Sequence, residues 1–369
     1  MANHNSHPPT SYQPLKLLFQ IGYAVTVAAR LPIWAITALL PPLRQHPSWT
    51  AKQSFLAHLA YMVLDTPSRI GITETLSLES RKEGDQFQVI NPADSRFYEG
   101  PLVSDIKPAA VGGTWYPHRP RVGADWASSL VVLHLHGGAF VTGNGRIHHG
   151  GFVGKNWVEE CGAAAVFVPQ YRLSGYAGLN PFPAALQDSL TAYAFLLYEL
   201  GVPAHQIVLA GNSSGGNLAV ALLRYIKEFG HNLGLPTPRC AVLLSPWVSP
   251  FDYDLAENPN RVSDYVPKSF LRWGAETYAG HLPDARANPY ITPSAAPFAV
   301  SVPMLVSVGT AELFHGAVTN WVGKMNELSE NSVELYHENG ASHDTFFSGN
   351  LTGFDESTRV VAAKIREFL

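Results

Sequence analysis

Cysteine and charge are both scarce in this chain of 369 residues. Its two cysteines, Cys161 and Cys240, lie in neither a CxxC pair nor a Cys/His spacing typical of a metal site, so no disulfide framework or bound metal is predicted. Charged residues make up 15% of the chain, and the net charge is −4 without any block of lysine or arginine. The sequence therefore argues against a nucleic-acid partner and predicts a partly apolar surface.

The features of a secretory leader are also missing. Met1 to Pro14 is polar and contains no lysine or arginine, whereas a leader begins with basic residues and continues into an unbroken apolar run. Together with the few cysteines, this predicts a cytoplasmic protein. The apolar residues 15–40 have the length of a membrane helix, but Pro32 is expected to divide them into two shorter helices. Those helices either pack on the main body or make a peripheral contact with a membrane surface, and both interpretations stay open.

From residue 85 onward, apolar runs typical of strands alternate with helical patterns, whereas residues 1–84 form a separate, mainly helical region. Strands are predicted at 86–90, 111–116, 130–135, 164–168, 206–210, 241–244, 304–308 and 332–336, and helices at 184–200, 215–229, 317–328 and 356–369. The alternation predicts an α/β fold with a mostly parallel sheet covered by helices on both faces. Residues 250–293 interrupt it with many proline, asparagine and aromatic residues, and they are expected to lie over the carboxyl edge of the sheet.

A motif for a nucleophilic serine lies between a predicted strand and a predicted helix. GNSSG at 211–215 fits the pattern G-x-S-x-G and places Ser213 at the centre of the turn. Such a turn pushes the serine into a cleft, and glycine is needed on both sides because a Cβ there would collide with neighbouring backbone. Taken alone, the five residues also fit a glycine-rich turn with a solvent-exposed serine.

A second motif, HGGAF at 136–140, follows the predicted strand at 130–135. Two adjacent glycines allow the backbone to approach a substrate closely. The N–H groups of Gly137 and Gly138, together with that of Ser214, are therefore predicted to stabilise a negatively charged carbonyl oxygen. An ordinary turn at the end of a strand is the alternative, but the order of the two motifs favours an oxyanion hole.

A serine nucleophile needs a base, and the base needs an acid that orients it. His343 is the predicted base, because it follows the last predicted strand and a loop there can lean over the serine. Glu312 is the predicted acid, because it is the only carboxylate in the loop after the strand at 304–308 and fits the chain order serine, acid, histidine. Two alternatives stay open: Glu312 caps the following helix, or Asp344 is the acid, although its side chain is expected to diverge from the adjacent imidazole.

These residues resemble the hormone-sensitive-lipase-like group of α/β-hydrolases, also called the fold-3 type. The matching segments are HGGAF at 136–140, YRL at 171–173, PFPAALQD at 181–188, GNSSGGNLA at 211–219 and SPW at 245–247. Two further features, RLPIW at 30–34 and the pair His343-Asp344, are similar to fungal members of the group. Four residues depart from the usual pattern: Ala139 replaces a third glycine, Asn212 and Glu312 stand where aspartate is common, and Ser214 stands where alanine is common.

The resemblance implies an eight-stranded α/β-hydrolase sheet, a triad of Ser213, Glu312 and His343, no metal or other cofactor, and a cap built from residues 15–80 and 250–293. It also implies hydrolysis of a short- or medium-acyl ester, an acetyl ester or a lactone of a hydrophobic small molecule. Through the fungal likeness it implies a tailoring role on a secondary metabolite. The alternative is a non-hydrolytic, receptor-like protein that binds a ligand on the same scaffold, because a fold alone does not establish catalysis.

Overall fold

Eight strands form one sheet in the computed structural model, which describes residues 6–121, 123–126 and 129–369. The strands are β1 (Phe87–Ile90), β2 (Val111–Tyr116), β3 (Val131–Leu135), β4 (Ala165–Gln170), β5 (Ile207–Asn212), β6 (Cys240–Leu244), β7 (Met304–Gly309) and β8 (Val333–Glu338). Their spatial order is β1-β2-β4-β3-β5-β6-β7-β8. Strand β2 runs antiparallel to β1 and β4, and every other neighbouring pair is parallel. The predicted eight-stranded, mostly parallel sheet is confirmed.

Helices cover both faces of this sheet. They are α1 (Leu15–Leu39), α2 (Ala51–Ile70), α3 (Ile147–Lys155), α4 (Ala184–Ala194), α5 (Ser214–Leu233), α6 (Lys268–Ala279), α7 (His315–Asn326), α8 (Thr345–Thr352) and α9 (Asp355–Phe368). Side chains of α4, α5 and α7 belong to the larger hydrophobic core, whereas those of α3 and α9 belong to a second core. Strands β3, β5, β6 and β7 are buried along their whole length, as uninterrupted apolar runs predict for parallel strands covered on both sides.

Helix α1 is continuous, so the expectation that Pro32 divides residues 15–40 into two helices is wrong. Proline removes one backbone donor and conflicts with the carbonyl group four residues earlier. Both Pro32 and Ala28, which carries that carbonyl group, are exposed, so water can reach the freed oxygen. By length and composition, α1 is long and apolar enough to cross a membrane.

Helix α2 begins with a capping box at Thr50. Thr50 accepts a hydrogen bond from the backbone N–H of Gln53, and the Gln53 side chain accepts one from the Thr50 N–H in return. Tyr23 of α1 donates a hydrogen bond to Asp65 of α2 at 2.9 Å, which joins the two helices. The division of the chain at residue 84 stays a prediction, and residues 1–5 of its first region lie outside the described residues.

Three helices, α3, α6 and α8, are not predicted by the sequence patterns. Helix α3 has three glycines in nine residues, and α8 has only eight residues, so neither shows a clear helical period. Helix α6 lies inside the insertion at 250–293, where the surrounding prolines and asparagines predict loops. The helix is nevertheless amphipathic, and it buries Phe270 and Trp273.

Candidate active site

Ser213 lies on a tight turn between β5 and α5. Its φ of 52° and ψ of −119° are rarely adopted by residues other than glycine, so the turn holds the serine in a strained conformation. Glycine is required on both sides. A Cβ on Gly211 would lie 2.2 Å from the Gly215 carbonyl oxygen, and one on Gly215 would lie 1.9 Å from the Leu135 carbonyl oxygen. This strand-turn-helix geometry is that of a nucleophile elbow.

His343 and Glu312 meet because they follow β8 and β7, which are adjacent parallel strands. The imidazole Nδ1 of His343 lies 3.6 Å from Glu312 Oε1. The ring of Phe314 packs edge-on against the imidazole with ring centres 4.8 Å apart, and Tyr265 donates a hydrogen bond to the His343 carbonyl oxygen at 2.9 Å. His343 and Ser213 line the same cavity. The structure therefore brings together the hydroxyl, imidazole and carboxylate side chains that the sequence singles out.

Two donors hold the Glu312 carboxylate in place. Ser245 Oγ donates to Glu312 Oε2 at 2.6 Å, and the backbone N–H of Gly309 donates to the same oxygen at 3.1 Å. Within the described residues Oε1 has no hydrogen-bond partner, and it faces His343. Burial raises the pKa of Glu312, whereas its hydrogen bonds, those from Ser245 and the Gly309 N–H first, oppose this shift by stabilising the charged form. The donors thus fix which oxygen faces the imidazole.

Asp344, the alternative acid, has other partners. Its Oδ2 accepts a hydrogen bond from Asn212 Nδ2 at 2.5 Å, and its Oδ1 accepts one from the Phe347 N–H at 3.3 Å, which caps α8. The Asp344 carboxylate therefore binds Asn212 at the end of β5 and the N-terminus of α8. Of the two acids left open by the sequence, the geometry favours Glu312 as the partner of His343.

The oxyanion motif needs one correction. The N–H of Gly137 donates to Asn212 Oδ1 at 2.9 Å, so this amide is not free to bind a substrate oxygen. The next two amides, of Gly138 and Ala139, have no acceptor in the part of the chain that the structure describes, and both residues line the cavity. Gly138 must be glycine, because its φ is +117° and a Cβ would lie 2.1 Å from the Thr142 carbonyl oxygen.

Asn212 connects the parts of the site. Besides Gly137 and Asp344, its side chain contacts His134 through Oδ1, at 3.0 Å from the imidazole Nε2. Sequence reasoning noted Asn212 only as a departure from a common aspartate, and Ser245 only as the first residue of the Ser-Pro-Trp segment. Both roles depend on contacts with residues distant along the chain, which no local pattern reveals.

A small cavity opens over Ser213. It has a volume of about 100 Å³, and its mainly apolar walls come from several elements. Besides the two motifs, His343 and Asp344, the residues that line it are Leu64, Thr142, His149, Tyr265, Val266, Phe270, Leu271 and Phe347. Burial lowers the pKa of His149 to about 4, so this imidazole is neutral at pH 7. Within the described ranges, no cluster of three or more His, Cys, Asp or Glu side chains could hold a metal ion.

Comparisons with known proteins show which proteins this chain resembles. A family profile described as alpha/beta hydrolase fold matches residues 132–347. An acetyl-hydrolase of Streptomyces hygroscopicus is 32% identical over 187 residues, which cover 50% of this chain and 58% of that protein. Hormone-sensitive lipase of Homo sapiens is 29% identical over 210 residues, which cover 55% of this chain and 18% of that protein. A crystal structure of a hormone-sensitive lipase from a metagenome library has a TM-score of 0.56 and 27% identity, over 70% of this chain and 81% of that chain.

The family profile spans more than half of the chain and contains Ser213, Glu312 and His343. The chain therefore belongs to the α/β-hydrolase fold family, in its hormone-sensitive-lipase-like group, and the resemblance is confirmed at this level. The chain spans less than two thirds of the length of the two curated relatives. The closer likeness to fungal members stays a prediction.

Proposed function

We propose that this protein is a serine esterase that hydrolyses short-acyl esters of hydrophobic small molecules. The observation that carries the proposal is the convergence in one cavity of a strained serine and a histidine whose Nδ1 faces a buried carboxylate. In this arrangement Ser213 is the nucleophile, His343 the general base and Glu312 the group that orients the imidazole.

In the first step, the Ser213 oxygen forms a bond to the ester carbonyl carbon while His343 takes the hydroxyl proton. Glu312 holds the proton on Nδ1, which leaves Nε2 as the base and stabilises the imidazolium that forms. The carbonyl oxygen becomes negative. The N–H groups of Gly138 and Ala139, and that of Ser214 at the start of α5, are the donors proposed to stabilise it. Each such donor contributes on the order of 3 kcal/mol to the transition state.

In the second step, the bond to the alcohol breaks as His343 returns its proton to the leaving oxygen. Water then attacks the acyl group on Ser213, with His343 again as the base, and releases the carboxylic acid. No step requires a group from outside the chain other than substrate and water. His343 therefore acts as base and acid in turn, while Ser213 carries the acyl group.

The cavity supports a preference for short acyl groups. A volume of about 100 Å³ equals about three water molecules in the liquid, at about 30 Å³ each. An acetyl group fits this space, whereas a long acyl chain would have to displace the cap residues Phe270 and Leu271. The relation to an acetyl-hydrolase supports the same choice. The apolar walls favour an uncharged substrate over a sugar or a phosphate.

The proposal is tested with p-nitrophenyl acetate, butyrate and octanoate and two serine variants. Ser213→Ala is expected to abolish turnover of all three esters while circular dichroism and thermal melting stay unchanged. Ser329→Ala, at an exposed serine between α7 and β8 that does not line the cavity, serves as the control and is expected to keep full activity. The wild-type kcat/KM is expected to fall from acetate to octanoate. Full turnover by Ser213→Ala would refute the proposal, and a maximum at octanoate would refute the acyl-group preference.

The finer proposal, a tailoring deacetylase or lactonase of secondary metabolism, is supported by the sequence likeness to fungal members. Its test is metabolite profiling of a strain that lacks the gene. An acylated or lactone-closed compound is expected to accumulate, and purified protein is expected to convert it. An unchanged metabolite profile would contradict this role without affecting the esterase assignment.

A further inference from the structure

Helix α1 has an unusual surface. Of its 25 residues only Ala38 is buried, and the side that is partly covered packs on α2 through Tyr23 and Trp34. The opposite side carries a continuous row of exposed apolar residues, here called the outer stripe. Its members and their exposed fractions are Leu18 62%, Ile21 55%, Val25 63%, Ile36 57% and Leu39 68%.

The outer stripe exposes apolar side chains to water, which is unfavourable. A surface helix normally places its apolar side inward and polar side chains outward. In α1 the exposed polar side chains Gln20 and Thr26 lie outside the stripe, about 80 to 100° around the helix from its nearest members. The row of exposed apolar side chains extends over most of a helix about 37 Å long, at about 1.5 Å per residue. Exposed apolar patches of this size mark binding surfaces.

Positive charge predominates in α1 and the residues that flank it, and Asp65, the carboxylate that α1 contacts, is buried and paired with Arg69. Residues 1–64 contain no aspartate or glutamate, and they contain four basic residues, namely Lys16, Arg30, Arg44 and Lys52. The whole chain has a net charge of −4, so the remaining residues carry −8. A segment that combines an apolar stripe with exclusively positive charge matches an anionic lipid surface. Two copies of the same segment would repel each other electrostatically.

We propose that the outer stripe of α1 inserts into the surface of an anionic lipid bilayer, with the helix axis parallel to the membrane plane. The contacts of α1 argue for this orientation over a crossing one. Beyond Tyr23 and Trp34, the residues that flank the helix also bind α2 or its N-terminal turn: Ser11 donates to the Ile70 carbonyl oxygen and Arg44 to the Trp49 carbonyl oxygen. Crossing the bilayer would require α1 to leave α2 along its whole length.

Helix α2 is in turn fixed to the catalytic part of the protein. Ser269 of α6 donates a hydrogen bond to Asp65 of α2 at 2.7 Å, and Trp49 Nε1 donates to the Gly340 carbonyl oxygen. Leu64 of α2 lines the cavity over Ser213. Lipid contact through α1 therefore places the cap side of the molecule toward the bilayer.

The test is flotation of the full chain with two kinds of vesicle, phosphatidylcholine alone and phosphatidylcholine mixed with phosphatidylglycerol. The stripe variant combines Leu18→Glu, Val25→Glu and Ile36→Glu. The control variant places three glutamates at apolar residues of similar exposure elsewhere: Val103→Glu, Val262→Glu and Leu351→Glu. The wild type and the control are expected to float with anionic vesicles, and the stripe variant to lose at least about tenfold in partition coefficient. Hydrolysis of soluble p-nitrophenyl acetate and the far-UV spectrum, measured in parallel, report whether each variant folds.

Three results would overturn the proposal. The first is a wild type that stays at the bottom of the gradient with both vesicles. The second is equal flotation of the folded stripe and control variants. The third is a wild type that elutes as a dimer in size-exclusion chromatography, becomes monomeric only in the stripe variant and binds no vesicles, because the stripe would then be a contact between copies. A failure of ester hydrolysis in all proteins, with flotation as expected, would contradict the esterase and leave the membrane contact standing.

Discussion

At the scale of single residues, Glu312 gives the sharpest prediction. In Glu312→Gln the side chain keeps its shape, but its amide group cannot stabilise the imidazolium of His343 as a carboxylate does. We expect kcat to fall by about two to four orders of magnitude with little change in KM. The comparison is Asp344→Asn, which we expect to lose less, because Asp344 binds Asn212 and caps α8. Glu327→Gln, at an exposed glutamate, is the control. Steady-state kinetics that show the larger loss for Asp344→Asn would contradict the assignment of Glu312.

How much of the site the sequence predicts depends on whether the signal is local. Ser213 can be predicted from a motif between a strand and a helix. Glu312 and His343 can be predicted because each lies in the loop after one of two consecutive strands. The choice of Gly137 as an oxyanion donor is different, because it depends on whether the amide is free. Its partner, Asn212, lies 75 residues away along the chain. A contact of that kind has no local signature, and the sequence therefore points one residue too early in the HGGAF segment.

At the scale of elements, the cap helix α6 packs against the oxyanion loop with almost no space between them. A Cβ added to Gly274 of α6 would lie 2.2 Å from the Ala139 carbonyl oxygen and 2.7 Å from the Ala139 Cβ. We therefore expect Gly274→Ala to displace the loop and to lower kcat for p-nitrophenyl acetate by about ten- to a hundredfold.

The control for this prediction is Gly323→Ala in α7, where nothing lies within 4 Å of the added Cβ. Alanine in an exposed helix stabilises by up to about 1 kcal/mol relative to glycine, so Gly323→Ala is expected to melt slightly higher and to keep its kcat. An unchanged kcat in a folded Gly274→Ala protein would show that α6 does not hold the loop.

The insertion that contains α6 also shows where prediction from sequence fails. The insertion at 250–293 is expected to lie at the carboxyl edge of the sheet, and its residues Tyr265, Phe270 and Leu271 do line the cavity there. Its helix is missed because tertiary packing of Phe270 and Trp273 against the core outweighs the surrounding loop signals. For α1 the sequence predicts a break that is absent, because exposure to solvent makes Pro32 tolerable within a continuous helix.

At the scale of the whole molecule, buried carboxyl groups predict how stability depends on pH. Burial raises the pKa values of Glu338 and Asp344 to about 7. The folded chain thus binds more protons than the unfolded chain, in which glutamate and aspartate titrate near pH 4. The stabilising contribution of these protons is complete below that pH and is lost as pH rises through about 7.

Buried histidines have the opposite effect, but in a lower pH range. Burial lowers the pKa of His134 and His149 to about 4, so they affect stability mainly below their unfolded pKa of about 6.5. Between about pH 7 and 8 the carboxyl groups dominate, and the free energy of unfolding, measured with urea, is expected to fall with rising pH. Glu338→Gln is expected to reduce this slope. A free energy that rises over this interval, or a slope unaffected by the substitution, would contradict the prediction.

The overall architecture is largely predictable because it depends on repeated signals. Each of the eight strands overlaps its predicted range, because the apolar runs of β3 to β7 are buried on both faces and leave little ambiguity. The membrane-length segment at 15–40 is different. Its composition fits both a packed cap helix and a membrane contact, and the membrane contact stays a proposal that rests on the exposure of the outer stripe in the folded structure.

The central claim is that Ser213 is an activated nucleophile, and covalent labelling tests it most directly. The wild-type protein is treated with a fluorophosphonate, and the product is analysed by intact-mass measurement and peptide mapping. We expect a single adduct on the peptide that contains Ser213, no adduct in Ser213→Ala, and loss of esterase activity in step with labelling. A folded wild-type protein that stays unlabelled, or that carries the adduct on another serine, would contradict the account.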